Sequence, residues 1–308
     1  MVQMIKDYNG TANWSVGALF AHDKFIHSLI DTLKELGYEN PIKSVFGSIP
    51  CLMSGGVLPP TAPPVEIAKS IIDKYNDRGV GCNLTYSNVF VKEEGFSDAT
   101  SNELLEFLDS KISVKNGVIV SDPRYAEYIN ENYSNLIVIA SYMKPVFEVG
   151  LGNDSAKYYN SLFSDFDYVT INPAKVQDGE FLSNINNKDR VIFAANSREL
   201  PNDPLTREFL KARMMTGIKA LDEEDYTEET NTLDEIYKAW NSTRKSYPLA
   251  GTNLSQSDIE NLIRMGFSNF NILGRENEGA TFIRDLGDYV FISHLYNRVA
   301  QAIMQSVV

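Results

Sequence analysis

Cysteine is nearly absent from this chain: Cys51 and Cys82 are the two thiols in 308 residues, far apart and in no ligand-like spacing. That scarcity excludes a disulfide scaffold and predicts buried thiols in a reducing cytoplasm. Histidine is almost as rare, with His22, His27 and His294 too scattered for a His-rich metal centre. No run approaches the roughly 18 consecutive apolar residues of a membrane span. The opening residues, MVQMIKDYNG, carry no apolar stretch of the signal-peptide kind, so a cytoplasmic location is the expectation. No cluster of Lys and Arg offsets the formal charge of −13, which disfavours broad nucleic-acid binding. No G-x-G-x-x-G follows the first apolar run, which weakens the case for a doubly wound dinucleotide fold.

Short β-branched runs alternating with helical periodicity are what the chain does have. With 43% hydrophobic residues it can bury a large core. An amphipathic helix pattern occupies VGALFAHDKFIHSLIDTLKELG, from Val16 to Gly37. Eight runs then read as strands: IKSVFGSIP, VGCNLTYSN, GVIVSD, NLIVIASYM, DYVTINP, RVIFAAN, YPLAGTN and NFNILGREN. Helical patterns separate them, several with Ser, Asp or Pro starts and Gly stops. Strict strand–helix alternation predicts an α/β fold of the (β/α)8 TIM-like barrel type. The expected organisation is a single barrel domain over 1–308, with an N-terminal helix and a charged helical insertion at 220–246, after the sixth strand.

Barrel enzymes place their chemistry at the C-terminal ends of the strands. Here those ends supply Asn88, Asp122, Lys144, Asn172, Lys175, Asn196, Arg198, Glu199, Asn253, Arg275 and Glu276. Glu199 and Asp122 are the candidate catalytic acids, and the others are candidate ligand-binding groups. Arg275 lies after the last strand, where barrels often hold anions and where a guanidinium offers a forked donor. No His belongs to this set, so a Ser–His–Asp triad is excluded and no nucleophile–base pair can be named. Each residue also has a structural reading. The four Asn suit loop caps, and Asp122 before Pro123 suits a helix N-cap. The expected ligand is a polar or anionic small molecule, or a peptide-like one; no cofactor, no metal and no membrane partner is expected.

The stretch LSQSDIENLIRMGFSNFNILGREN resembles the collagenase-like peptidase family, and so do GCNLTYSN, NGVIVSDPRYAEYINENYSN and VTINPAK. The resemblance spans most of the chain and points to an uncharacterised bacterial and phage-borne branch of that barrel family. It implies a barrel of enzyme ancestry; several family members hold an iron–sulfur cluster through cysteines. In the related branch the loop after the sixth strand reads roughly N-x-x-C-x-P-N-C-P-x-R-x-x-H-Y. This chain keeps Asn196, Pro201, Asn202 and Pro204 of that pattern. Glu199 and Asp203 stand where the cysteines would be, and Phe209-Leu210 replaces His-Tyr. Carboxylates favour hard cations over clusters, so the exchange removes the family's cluster chemistry.

Two readings follow, and whether the chain is an enzyme stays open between them. One is a barrel enzyme working on a polar substrate through an acid at the mouth. The other is a non-catalytic binding or assembly protein, including a phage virion or accessory component, with 220–246 as a protein-binding surface. For a phage-encoded chain the expected location is the host cytoplasm or the virion.

Overall fold

In the computed structural model, residues 11–17, 19–35, 37–54, 63–150, 153–197, 204–222, 227–246, 253–274 and 279–290 are described. Eight parallel strands close into a barrel in sequence order. They are β1 (Asn13–Gly17), β2 (Ile42–Gly47), β3 (Gly81–Tyr86), β4 (Gly117–Val120), β5 (Ile137–Ala140), β6 (Tyr168–Thr170), β7 (Val191–Ala194) and β8 (Asn269–Ile272). The expected (β/α)8 barrel is therefore the fold, built from a different set of strands than the periodicity picked out.

The difference lies at the start of the chain. Val16 and Gly17 belong to β1 rather than to a helix, and α1 runs only from Asp23 to Glu35. The expected N-terminal helix is thus the first barrel helix, following a strand that the sequence reading missed. β1 pairs with both β2 and β8 and closes the ring. Trp14, fully buried, anchors it by packing on Phe270 of β8 at 5.3 Å between ring centres. Of YPLAGTN, read as the seventh strand, residues 247–252 lie outside the described residues. Asn253 contributes one isolated antiparallel bridge, to Asn196.

The helices follow the usual right-handed βα connections. They are α2 (Val65–Asn76), α3 (Ala99–Asp109), α4 (Pro123–Asn132), α5 (Met143–Glu148), α6 (Ala156–Leu162), α7 (Gly179–Ser183), α8 (Pro204–Asp222), α9 (Thr227–Ser246), α10 (Gln256–Arg264) and α11 (Gly279–Tyr289). Short polar side chains set their starts: Asp98 caps α3, Asp122 caps α4, and Ser255 with Asp258 forms a capping box on α10. Ile259 and Leu262 of α10 are buried in the main core between strands and helices.

α8 and α9 have a different position, packed on each other. Leu210 and Met214 of α8 are buried against Met143, Tyr142 and Phe147, which follow β5, and against Val89 and Phe90, which follow β3. β3 stands opposite β7 in the ring, so α8 spans far from the strand it follows. It roofs the C-terminal mouth on the β3–β5 side. The charged insertion expected at 220–246 is in this fold the second half of a helical pair, α9, whose partner α8 begins at Pro204.

Along each strand the side chains alternate between two environments. One set faces the helices: Trp14, Val16, Val45, Cys82, Leu84, Val118, Val120, Val138, Phe193, Phe270 and Ile272 all belong to the large outer core. The other set lines the barrel, where Ile119, Ile139 and Ile192 form a separate cluster with Phe46, Ile137 and Tyr168.

Candidate functional site

The strand-end residues are mostly tied to protein partners. Asn88 Nδ2 donates to the Leu52 carbonyl at 3.1 Å, and its Oδ1 accepts from Phe90 N at 3.1 Å, so it folds the loop after β3. Asn172 Oδ1 accepts from Ala174 N at 3.0 Å and caps a short 3-10 turn after β6. Asn196 is a clamp: its Nδ2 donates to the Leu273 carbonyl and to Asp285 Oδ2, each at 2.8 Å, while its Oδ1 accepts from Leu273 N at 2.7 Å. It holds the ends of β7 and β8 and the helix α11 together. Asn253 is exposed and bridges to it.

Asp122, a candidate acid, has both oxygens engaged. Oδ1 accepts from Arg124 N at 2.9 Å and from Arg124 Nε at 3.1 Å, and Oδ2 from Arg124 Nη2 at 2.5 Å. The carboxylate in turn holds the Arg124 guanidinium more firmly charged than usual. Asp122 is thus the N-cap of α4, as Asp before Pro123 suggests, and is paired with Arg124 of its own helix.

Lys144 is 2% exposed, with its ammonium 3.0 Å from Glu148 Oε2 and 5.5 Å from the centre of the Phe166 ring. Glu148 also accepts from Tyr158 OH at 2.6 Å. Lys144 thus sits in a cluster with Glu148 of α5, Tyr158 of α6 and Phe166. Lys175 lies 3.7 Å from Asp154 Oδ1, at ion-pair but not hydrogen-bond range. Asp154, not anticipated from sequence, is buried with Oδ2 accepting from Tyr159 OH at 2.9 Å; that hydroxyl accepts from Asn172 N at 3.0 Å. Burial first, then the Asp154 charge, pushes the Tyr159 phenol well above its ordinary range. Arg198, Glu199, Asp203, Arg275 and Glu276 lie outside the described residues.

The barrel lining supplies groups that the strand-end reading did not contain. Ser44 Oγ donates to Ser15 Oγ at 2.8 Å, and Asn83 Nδ2 donates to Ser44 Oγ at 3.3 Å. Asn13 Nδ2 donates to Asn269 Oδ1 at 3.1 Å. These residues make a polar arc over β8, β1, β2 and β3, interrupted by Phe46 of β2, which packs with the isoleucines of β4, β5 and β7. Within the arc Asn83 Oδ1, Thr85 Oγ1 and Asn271 Oδ1 are shielded and have no hydrogen-bond partner among the described residues. The signal was available as period-two alternation inside strands otherwise read as continuous apolar runs.

The iron–sulfur group implied by the family resemblance does not fit this chain. A cluster takes about four protein ligands, commonly thiolates. The two thiols here are both buried, with Cys82 accepting from Asn76 Nδ2 at 3.8 Å and Cys51 kept above its ordinary pKa by burial. No group of three or more metal-ligating side chains occurs among the described residues. No helix among those residues is long and apolar enough to cross a membrane.

The architecture defines the class: a closed (β/α)8 barrel in which α8 packs on the segments that follow β3 and β5. Among solved structures, the U32 peptidase Mk0906 is similar at 17% identity and a TM-score of 0.56, covering 87% of this chain and 94% of that one. The likeness shows the fold, in keeping with the resemblance drawn from the sequence. A β-mannanase from Alicyclobacillus acidocaldarius is more distant, at 9% identity and a TM-score of 0.37 over 96% of this chain and 97% of that one. A chitinase from Chromobacterium violaceum, at 10% identity and a TM-score of 0.35, covers 59% of this chain and 68% of its own. No family profile matches the chain, and neither does any curated protein.

Proposed function

We propose that the chain is a barrel of enzyme ancestry, related to the collagenase-like peptidases, that takes a polar ligand through its C-terminal mouth without an iron–sulfur cluster. The observation that carries this reading is the roof. The buried stripe of α8, comprising Thr206, Phe209, Leu210, Arg213 and Met214, recurs at helical spacing, and Leu210 and Met214 pack on the loops after β3 and β5. A barrel that only needed its helices as an outer layer would gain nothing from covering its mouth. Enclosure is what a ligand site uses to exclude water. In this reading Glu199 is the acid or base, Arg275 and Arg198 meet the negative end of a ligand, and Glu276 and Asn253 are further ligand-binding groups. Asp122 acts through Arg124, which it holds beside the mouth at Glu93.

Native mass spectrometry with elemental analysis on the purified protein tests this. The expected result is a reproducible small-molecule adduct that is lost in Glu199→Gln or Arg275→Ala. A clean apo mass, and identical behaviour of both variants toward every probe, would reject the assignment.

A second reading is favoured by the partners found for Asn88, Asp122, Lys144, Asn172 and Asn196, each occupied by protein groups. It is that of a non-catalytic binding or assembly protein, as a cellular or phage accessory component would be. Leu221 and Tyr237, 43% and 46% exposed on the α8–α9 pair, would belong to its contact surface.

A further inference from the structure

The barrel lining is more specific than a generic polar mouth. Its inward positions carry Asn, Ser, Thr, Gly, Ala, Ile, Phe and Tyr and, among the described residues, no charge. A charged ligand group would therefore meet no counter-ion below the mouth, and burying it there would be costly. The lining is also two-sided. The polar arc of β8, β1, β2 and β3 is flanked by Ile119 of β4 and Ile192 of β7, which cluster with Ile139 of β5 and with Phe46 of β2.

Three shielded atoms on that arc have no hydrogen-bond partner among the described residues: Asn83 Oδ1, Thr85 Oγ1 and Asn271 Oδ1. Asn83 is 3% exposed and Asn271 6%, so neither oxygen has bulk water as a substitute. A buried polar atom without a partner costs on the order of 1–3 kcal/mol. Folded proteins satisfy nearly all such groups, so each exception calls for an explanation, and three on one stretch of the lining call for a shared one. Asn83 Oδ1 also sits where Gly117 of β4 presents no side chain; a Cβ there would meet it at 2.9 Å. The unmet groups are two acceptors and one hydroxyl, alongside the Asn and Ser groups of the same arc. Ligand hydroxyls, which donate and accept, match such a mixture.

Resting on the reading that the barrel takes a polar ligand through its mouth, we propose that the arc around Asn83, Thr85 and Asn271 binds a neutral, polyhydroxylated small molecule. Its hydroxyl edge bonds to the arc and its C–H face lies on Ile119, Ile139 and Ile192. Any anionic part stays above, at the mouth.

The test uses the full chain, with D-glucose as the neutral probe and inorganic phosphate as the anionic one, both followed by ligand-observed NMR. Thr85→Val removes the hydroxyl at constant shape, Asn271→Leu removes the amide, and Thr85→Ser restores the hydroxyl. The expected result is D-glucose binding weakened at least tenfold in the Val and Leu variants, rescued in Thr85→Ser and unchanged in Ile112→Ser, a control at an exposed position. The two weakened variants are expected to melt no lower than wild type, because the replaced atoms have no protein partner to lose. Equal binding of D-glucose to all four variants, or no binding to wild type, overturns the proposal. Phosphate bound by wild type and lost in Arg275→Ala would then leave the mouth reading standing, whereas failure of both probes would remove both.

Discussion

His27 offers a test of the packing between α1 and α2 in which charge, burial and pH act on one ring. Its imidazole is 8% exposed and lies 4.0 Å, centre to centre, from the ring of Tyr75. Neither imidazole nitrogen has a hydrogen-bond partner among the described residues, and the Tyr75 hydroxyl has none either. Burial first, then the Arg78 guanidinium, lowers the His27 pKa from 6.5 to about 4; Lys74 adds to this, while Asp23 and Asp31 oppose it. The pair Asp31–Arg78, closed at 2.9 and 2.7 Å, keeps that cation in place. A base whose folded pKa is depressed favours the fold when it is neutral. Its contribution is therefore complete above the unfolded pKa of 6.5 and is lost as pH falls toward about 4. The full linkage for that shift is about 3 kcal/mol, of which about 2 kcal/mol is gone between pH 7 and pH 5. The assay is urea unfolding of wild type and His27→Leu at both pH values, with buried Trp14, one of two tryptophans, as the fluorescent probe. The variant should lose about 2 kcal/mol less than wild type over that interval. At pH 7 it should stay within about 1 kcal/mol of wild type, since leucine fills similar volume and leaves no ring nitrogen unpaired. Parallel losses in the two proteins would refute the reasoning.

Other perturbations probe the mouth. Asn196→Ala removes three hydrogen bonds, one of them to the buried Asp285 carboxylate, so a loss of about 3 kcal/mol is expected in thermal or urea unfolding. A change under about 1 kcal/mol would show that the clamp is not in force. Asp122→Asn keeps the capping acceptor and should cost less than Asp122→Ala, which should lose about 1 kcal/mol. If the Asn variant instead abolished a measured activity while folding normally, Asp122 would be an acid after all. Met214→Ala empties the small core under α8 and should cost about 3 kcal/mol there. Limited proteolysis should then cut the α8–α9 pair faster while the barrel strands stay protected; uniform protection would argue against a separately stabilised roof.

Strands such as GVIV, IVIA and VIFA were legible because parallel strands buried on both faces read as short β-branched runs. β1 was not legible, for a reason that bears on function. Its inward residues, Asn13 and Ser15, are polar because they lie on the arc, so NWSVG lacks the apolar run that marks its sisters. The amphipathic pattern of α1 then absorbed Val16 and Gly17. Strand-end residues could be named from sequence, but whether Asn88 or Asp122 faces a ligand or a neighbouring backbone N–H depends on φ and ψ that no residue list contains. Asp285 was invisible for a related reason: its partner Asn196 is 89 residues away.

The seam between β1 and β8 has a consequence for how the chain is made. Asn13 and Asn269 meet across 256 residues of intervening chain, and Gly17 lies so close to Gly274 and Ile272 that a side chain would not fit. Ring closure therefore waits until ribosomal synthesis has passed residue 274. Until then β1 through β7 can form at most an open sheet whose two outer strands lack a neighbour. One of those margins, β1, is 5 residues long and has a register irregularity between Trp14 and Ser15, and short, irregular edge strands are poor templates for pairing with another nascent chain. The irregular strand that closes the finished barrel thus also limits wrong pairing in the unfinished one.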